Sequence, residues 1–402
     1  MKLQFGPLLL AGMMVLVSLS GCIFEEGESS SKSELLAVFN FSPSENIKVG
    51  DTISFDAGSS TPNDGSLTYR WDFDNDLSVD KTGMTAEWSY DSSGTKTIVL
   101  TISDGSKTSE QIKELTIAVA TAVEPVAEIT QYNDAEDCEN NDVDEDTHIV
   151  LWMCYYDKSQ TDRDVSETTS ITLDASDSDA GNPDEYISEY NWDIDLNIDA
   201  DDDGDFENDV DFSGETVTWA DVEPGEYKVK LNIKNSQDMV DSDTIKVYVS
   251  YAAKWSDFEI GSNTSNNNEL DFDVSITYDR DSANHKNTII KAVAELTYPQ
   301  QDDGCFDPGT GNCRAKLDVY AYNEDDDEAR NTSSVGLDQR NDGDDCDEAN
   351  DCVFLTISSY TFGDSDNEGT YGDGDWTFKI ENRERANDLR VESFIIRLVY
   401  FQ

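Results

Sequence analysis

The chain has 402 residues and a formal net charge of -60, with 27 Lys and Arg against 87 Asp and Glu. This excess of acid excludes nucleic acid as a partner, because binding a phosphate backbone requires clustered Lys and Arg. Hydrophobic residues make up only 37% of the chain, but they occur in alternating runs, which favours folded domains over disorder.

Residues 1–21 have the features of a secretory signal peptide. Lys2 precedes an apolar run, Leu8 to Leu19, which is shorter than the roughly 20 residues that a membrane-spanning helix needs. The run ends in Leu19-Ser-Gly-Cys22, which resembles a lipobox. The resemblance implies that Cys22 becomes the lipid-bearing first residue and holds the protein on the outer face of the cell membrane. Plain secretion and an uncleaved anchor are the alternatives. Residues 22–34, rich in Glu, Gly and Ser, predict a flexible linker.

From about residue 35 onward, the pattern predicts β-strands throughout. Short runs alternate between apolar and polar residues and are broken by Gly, Asn, Asp and Ser. Examples are Asp51–Phe55, Lys96–Ile102 and Tyr227–Ile233. Because helical periodicity is absent beyond the signal peptide, we predict an all-β protein of three β-sandwich domains in tandem, at 35–121, 122–251 and 252–402.

The first two predicted domains contain an internal repeat. Three pairs of segments match in the same order: Phe55–Ser60 with Leu173–Ser178, Tyr69–Asp74 with Tyr190–Asp195, and Trp88 and Gly94 with Trp219 and Gly225. The spacing between the copies increases along the chain, so the second copy carries loop insertions. The repeat therefore predicts two copies of one sandwich.

The shared residues resemble the PKD family, an immunoglobulin-like sandwich of extracellular proteins. The resemblance covers about residues 35–251. It is carried by three segments and their counterparts: Asp56-Ala57 and Asp174-Ala-Ser176, Trp71-Asp-Phe73 and Trp192-Asp-Ile194, and Pro224-Gly-Glu-Tyr227. It implies that Trp71 and Trp192 pack in the cores and that both copies serve mostly as spacers or contact surfaces.

Residues 252–402 predict a third, jelly-roll-like sandwich. Its predicted strands include Glu269–Thr277, Ala292–Thr297, Lys316–Tyr322, Val353–Ile357, Trp376–Ile380 and Arg390–Tyr400. The ending, Gly374–Asn382 followed by Leu389–Leu398, is similar to the close of a P-type domain, a jelly roll that accompanies secreted proteases. That similarity implies architecture only.

Six cysteines besides Cys22 fall into close pairs, which predict disulfides in an extracellular protein. The local pairing is Cys138–Cys154, Cys305–Cys313 and Cys346–Cys352. Cross-pairing among the last four is also open. A zinc site is the alternative, but the cysteines lack the usual ligand spacing and both histidines lie apart from them.

The acidic segment from Asp199 to Asp209 predicts a calcium site. Asp199, Asp201, Asp203 and Gly204 have the spacing of an EF-hand-like loop, although the glutamate expected at position twelve is Val210. The predicted ligands are Asp199, Asp201, Asp203, Asp205, Glu207 and Asp209. An ordinary acidic loop is the alternative, since acid is abundant everywhere. The general acidity itself fits a protein kept soluble in high salt, as in an archaeon or another salt-adapted microbe.

Three triplets fit the N-glycosylation sequon, at Asn40, Asn263 and Asn331. Such triplets also arise by chance in a chain rich in Asn and Ser. Glycosylation at these positions is a prediction consistent with an extracellular location.

Signals of an enzyme are almost absent, since His148 and His285 are the only histidines and neither lies in a pattern typical of a catalytic base. We predict a non-enzymatic protein for adhesion, envelope structure or binding of a polysaccharide or protein. The loops near 299–315 and 340–352 are the predicted contact surface. A secreted hydrolase, or its accessory subunit, is one alternative. A solute-capture lipoprotein is another, disfavoured because helix–strand alternation is missing.

Overall fold

The structure is a computed structural model that describes residues 35–133, 138, 148–194, 196, 209–279, 287–300, 314–341, 346–363, 369–383 and 385–401. These residues form an all-β protein in which two short 3-10 helices, Leu337–Gln339 and Ser359–Phe362, accompany the strands. Over the same ranges, no helix is long and apolar enough to cross a bilayer. The all-β prediction is confirmed.

The chain divides into two compact units. Among the described residues, the first contains those within Met1–Ser42, Ile53–Trp88 and Thr97–Glu114, and the second contains those within Pro43–Thr52, Ser89–Lys96 and Leu115–Gln402. The first seven strands are β1 (Asn40–Ser42), β2 (Ile53–Asp56), β3 (Thr68–Asp72), β4 (Lys81–Thr82), β5 (Thr85–Trp88), β6 (Gly94–Ser103) and β7 (Thr108–Ile117). They form two sheets, ordered β1-β2-β5 and β4-β3-β6-β7.

An aromatic cluster fills the core of the first unit. Trp71 and Phe73 are both 0% exposed, because β3 and the residue after it turn alternate side chains inward. The Phe73 ring lies 4.8 Å from the Phe55 ring, and the Trp71 ring lies 5.1 Å from the Phe39 ring. The predicted core position of Trp71 is therefore confirmed.

The next strands carry the second copy of the repeat. They are β8 (Tyr132–Asn133), β9 (Ile149–Tyr155), β10 (Asp164–Val165), β11 (Thr169–Asp174), β12 (Ile187–Asp193), β13 (Phe212–Ser213), β14 (Thr216–Val222), β15 (Gly225–Asn235) and β16 (Val240–Ile260). β11 pairs with β14, and β13-β12-β15-β16 follow one another in a larger sheet. Trp192 is 0% exposed in this copy, as predicted.

The two copies share specific hydrogen bonds as well as a sequence pattern. The Trp71 indole donates to the Gly83 carbonyl at 2.9 Å, and the Trp192 indole donates to the Gly214 carbonyl at 2.9 Å. In each copy, a serine hydroxyl also accepts a hydrogen bond from a backbone N–H. The Val38 N–H donates to Ser60 Oγ at 3.0 Å, and the Glu128 N–H donates to Ser178 Oγ at 3.0 Å. The two copies therefore share local geometry at matching positions.

The remaining strands build the C-terminal sandwich. They are β17 (Glu269–Ile276), β18 (Tyr278–Asp279), β19 (Asn287–Thr288), β20 (Lys291–Pro299), β21 (Asp318–Tyr322), β22 (Glu328–Asn331), β23 (Asn350–Ser358), β24 (Gly374–Glu381) and β25 (Leu389–Val399). One sheet is ordered β10-β17-β24-β21-β22, and the other contains β16-β25-β20-β23. Phe272 of β17 bridges the sheets, with ring distances of 4.8 Å to Trp255 and 4.6 Å to Phe394.

Strand β16 is 21 residues long and belongs to both sandwiches of the second unit. Its first part, to Val249, pairs with β15, and its last part, from Tyr251, pairs with β25. Ser250 lies between them, is 0% exposed, and accepts a hydrogen bond from the Tyr400 N–H at 3.0 Å. The boundary predicted at 251/252 therefore falls inside a strand, with one hydrophobic core on both sides of it.

β9 and β10 also connect the second copy of the repeat to the C-terminal sandwich. β9 runs parallel to β16 along residues 247–253 of that strand, and β10 then pairs with β17 in the opposite sheet of the C-terminal sandwich. The connector between β9 and β10, residues 156–163, thus lies at the edge between two facing sheets. Residues predicted to belong to the second domain contribute to the C-terminal sandwich.

Two of the three predicted disulfides are present, Cys138–Cys154 and Cys346–Cys352. Cys305–Cys313 and the lipid acceptor Cys22 lie outside the described residues. Of the sequon asparagines, Asn40 and Asn263 are exposed and Asn331 is half-buried. Glycosylation of these three remains a prediction.

A buried arginine anchors the chain near the second of these disulfides. Arg340 is 0% exposed, and its guanidinium donates to Asp318 at 2.5 Å, to the Tyr298 hydroxyl at 2.8 Å and to the Leu317 carbonyl at 2.6 Å. Burial raises the pKa of Tyr298 to about 12, although Arg340 opposes that shift. The Arg340 carbonyl in turn accepts a bond from the Cys352 N–H.

Replacing Arg340 by Met should lower the free energy of unfolding by about 3–5 kcal/mol, because Asp318 then loses the guanidinium that compensates its buried charge. Urea titration followed by tryptophan fluorescence measures the effect. Arg390→Met is the matched control, since the exposed pair of Arg390 with Asp257 should be worth less than about 1 kcal/mol. Equal losses in both variants would contradict the role given to Arg340.

Candidate functional site

Three carboxylates cluster in the loop that follows β3 in the first unit. Oxygen atoms of Asp72, Asp74 and Asp80 all lie within 4.8 Å of one another, a spacing that could hold a metal ion. Asp72 and Asp80 are half-buried and Asp74 is exposed. We call this group the Asp72 triad.

Backbone hydrogen bonds fix the Asp72 triad. The Phe73 N–H donates to Asp80 at 2.7 Å, and the Leu77 N–H donates to Asp72 at 2.8 Å. Because Phe73 is locked in the aromatic core, the carboxylates beside it have a defined position. Leu77 has a φ of 71°, in the left-handed region, and its side chain is 92% exposed.

The surroundings of Asp74 disfavour its charged form. Its pKa is raised, first by desolvation and then by the negative charge of Asp76, with smaller contributions from Asp80 and Asp72. A cation bound among these groups would relieve that repulsion. The donors are all carboxylate oxygens, which suit hard cations such as Ca²⁺.

The acidic segment predicted to bind calcium follows β12 of the second copy, as the loop of the Asp72 triad follows β3 of the first. There the Ile194 N–H donates to Asp211 at 2.9 Å, as the Phe73 N–H does to Asp80 in the first copy. Of the six predicted ligands, Asp209 is described and is only 5% exposed. Asp199, Asp201, Asp203, Asp205 and Glu207 lie outside the described residues.

The Asp72 triad was not predicted, although the sequence carried a signal for it. Asp72, Asp74 and Asp76 alternate with other residues, which is the one-three-five spacing used above for the second copy. In the structure, however, the third carboxylate of the cluster is that of Asp80 and not that of Asp76. Asp80 reaches this position because the loop returns to β3, where the Asp80 N–H donates to the Trp71 carbonyl.

A cavity of about 220 Å³ lies in the second unit, beside β16. Its lining residues come from three separate parts of the chain: Gln160, Thr161 and Arg163 from the β9–β10 connector; Trp255, Phe258 and Glu259 from β16; and Leu270 and Phe272 from β17. We call it the β16 cavity. Trp255, Phe258 and Phe272 are buried beside it, whereas Gln160, Thr161 and Glu259 are exposed and Arg163 is half-buried.

A left-handed residue in β16 shapes this cavity. Asp257 has a φ of 55°, and the inward alternation of the strand shifts there, so that Trp255 and Phe258, three residues apart, are both buried. A regular strand would have placed Trp255 and Asp257 on one face. The Asp257 carbonyl accepts a hydrogen bond from the Gln160 amide at 3.0 Å.

Further contacts hold the connector against β16. The Trp255 indole donates to the Asp162 carbonyl at 2.7 Å. Lys158, whose side chain is 3% exposed, forms ion pairs with Glu167 and, at 3.3 Å, with Asp162. Glu167 also accepts a hydrogen bond from Tyr251 at 2.8 Å, and burial together with this carboxylate raises the pKa of Tyr251. The cavity wall is thus preformed.

The β16 cavity was not predictable from sequence, because its wall depends on the pairing of β9 with β16 and of β10 with the opposite sheet. The loops near 299–315 and 340–352, predicted as the contact surface, are described only in part. There Arg314 pairs with the buried Asp351 at 2.7 Å. His148 stacks on Tyr248 with a ring distance of 5.3 Å, and His285 lies outside the described residues.

Comparison with known families identifies one part of the chain. Residues 38–119 match a family model described as the PKD domain, in agreement with the resemblance of the first copy. The match covers well under half of the chain, so it defines that domain and not the family of the whole protein. No curated protein matches the chain.

Similar solved structures include three β-proteins. The fibronectin(III)-like modules of Clostridium thermocellum CbhA are 16% identical, with 53% of this chain and 95% of theirs covered and a TM-score of 0.23. Carbohydrate-binding modules from the β-sandwich superfamily are 12% identical, with coverages of 92% and 99% and a TM-score of 0.20. Bacteroides ovatus SGBP-B, in complex with a mixed-linkage heptasaccharide, is 11% identical, with coverages of 90% and 74% and a TM-score of 0.17. With TM-scores of 0.23 or less, none of these structures superposes closely on this chain.

Replacing Asp74 by Asn should abolish calcium-dependent stabilisation of the first unit, because the Asp72 triad then loses one of three carboxylates. Thermal unfolding of the full chain with and without millimolar calcium, and with magnesium as a comparison, measures this. Asp91→Asn removes an exposed acid that lies within the PKD match but outside the triad, and it should leave the calcium shift intact. An equal calcium shift in the Asp74 variant would count against the triad as a metal site.

Proposed function

We propose that the protein is an extracellular binding protein of non-enzymatic type, held on the outer face of the cell membrane by a lipid on Cys22. The PKD domain and the disulfides suggest an extracellular protein. The lipobox resemblance supports the anchor. The net charge of -60 supports a salt-adapted source, such as an archaeon.

The β16 cavity is the observation that carries the binding role. A concave pocket that brings a few polar groups together is the usual form of a ligand site. The polar groups here belong to Arg163, Glu259, Gln160 and Thr161, and they stand on strands and a pinned connector. An extracellular polysaccharide or protein is the proposed ligand, and adhesion or envelope structure is the role that such binding would serve.

The PKD domain and the second copy act as spacers in this proposal, and calcium stiffens them. The Asp72 triad and the predicted loop Asp199–Asp209 leave the two copies at equivalent positions, after the buried Trp of each. Calcium sites of extracellular modules bind at roughly 10⁻⁴ to 10⁻³ M. Calcium would therefore stay bound outside cells and stabilise the modules rather than carry a signal.

Sedimentation with cell envelopes tests the proposed function. The Cys22→Ser chain, which cannot carry the lipid, should bind saturably to envelopes stripped of membrane lipid. Arg340→Met, which should destabilise the C-terminal sandwich, should lose this binding, and Lys234→Gln, which removes the ion pair of Lys234 with Glu189 in the second copy, should keep it. If the Cys22→Ser chain stays in the supernatant at every envelope concentration, the binding function is wrong.

A further inference from the structure

We infer that the free edge of β5, in the first unit, pairs with an extended, basic segment of a partner protein. The inference goes beyond the proposed function, because it gives a binding contact to the PKD domain, which acts there as a spacer. Three observations carry it: the unpaired backbone groups of β5, the groove beside this strand and the charge of its surroundings.

The backbone of β5 is paired along one side. Within the described residues, β2 is the only strand that pairs with β5. Just before β5 begins, the Ala57 N–H donates to the Met84 carbonyl at 2.9 Å. Bonded and non-bonded pairs alternate in an antiparallel ladder, so Ala86 bonds to β2, and the N–H and C=O groups of Thr85 and Glu87 point to the free edge. A free edge of this kind is a template for strand addition.

A groove of about 580 Å³ lies beside this edge. β4 and β5 are edge strands of the two sheets of the sandwich, and both contribute to the groove, which is thus at the open side between them. Its lining residues are Ser54, Phe55 and Asp56 of β2; Lys81 and Thr82 of β4; and Thr85, Ala86 and Glu87 of β5. Phe55 is buried and Ala86 is half-buried, whereas the others are exposed. A strand added to β5 would lie about 4.8 Å from it, within this groove.

The charges beside the edge favour a basic partner. The exposed carboxylates of Asp56 and Glu87 stand against one lining cation, Lys81. At longer range, the net charge of -60 acts in the same direction, since it attracts cations and repels anions. Side chains on one face of an added strand recur at every second residue, so Lys or Arg at alternate positions would meet both carboxylates. A basic segment therefore gains ion pairs in addition to backbone hydrogen bonds, and an acidic segment does not.

The second copy of the repeat offers an internal comparison. In the repeat, Thr218 is the counterpart of Glu87, so the second copy lacks this carboxylate at the matching edge. Thr216 begins β14 as Thr85 begins β5. The two threonines therefore have equivalent places in the backbone, and the same substitution at both distinguishes an effect on the edge of β5 from a general effect on a sandwich.

Fluorescence anisotropy of labelled peptides with the Cys22→Ser chain tests the inference. The probe is a peptide of alternating Lys and Val. One comparison peptide has Glu in place of Lys, and another keeps the Lys and Val sequence but is N-methylated at every second backbone position on each edge in turn. The Lys peptide should bind saturably and the Glu peptide should not. The methylated peptides should bind about tenfold more weakly, because they lose N–H donors to the edge of β5.

Variants of the chain locate the site. Thr85→Pro should weaken binding of the Lys peptide by about tenfold, because proline removes an N–H that points to the free edge and leaves the bonds to β2 intact. Thr216→Pro is the matched control and should leave the Kd unchanged. Glu87→Thr, which installs the residue of the second copy, should weaken binding by about threefold, since an exposed ion pair contributes little. Matching thermal transitions establish that the variants fold.

Several outcomes would overturn the inference. They are no saturable change in anisotropy with the Lys peptide, binding of the Glu peptide that is as tight, binding that methylation does not weaken, and equal losses in Thr85→Pro and Thr216→Pro. The last two would show that an acidic surface attracts a cationic peptide without a strand being added. The envelope assay measures the proposed function separately, so failure at β5 leaves envelope binding standing, and absence of envelope binding leaves the peptide result standing.

Discussion

The continuous strand Val240–Ile260 is the constraint on which the second unit depends. A strand buried along both edges must satisfy its backbone groups from both sides, and here β15 and β25 share one edge while β9 covers the other across the junction. Ser250 fills the point where β15 and β25 meet. Because the shared strand carries Trp255, Phe258 and Glu259, the same constraint that joins the two sandwiches also builds the cavity.

The position of the acidic loops is set by the buried core of each copy. In each copy a Trp is buried near the end of a strand, and the next residue, Asp72 or Asp193, ends that strand before an acidic loop. The rigid core thus holds carboxylates close together, and desolvation, followed by the negative charge of Asp76, raises the pKa of Asp74. A chain with a net charge of -60 gains stability wherever high salt or a bound cation reduces that repulsion.

Local features were predictable from the sequence. Alternation located β2, β6, β15 and β24 within a few residues, and spacing located the disulfides Cys138–Cys154 and Cys346–Cys352. The repeat placed Trp71 and Trp192 in their cores. Long-range pairing was not predictable: β9 reads as an ordinary apolar strand, and nothing in Ile149–Tyr155 indicates that β16 is its partner. The cavity depends on that pairing and on the left-handed Asp257, which a pattern of alternation does not reveal.

Hydrogen exchange measured by mass spectrometry tests the central claim most directly, since it reports whether residues 247–253 are strand or linker. The shared strand predicts that the amides of Val249 to Ala253 exchange as slowly as those of Lys246 to Tyr248 on one side and of Lys254 to Ser256 on the other, in one cooperative opening. Fast exchange of Val249 to Ala253, with slow exchange on either side, would show a flexible hinge at this point and contradict both the shared strand and the preformed cavity wall.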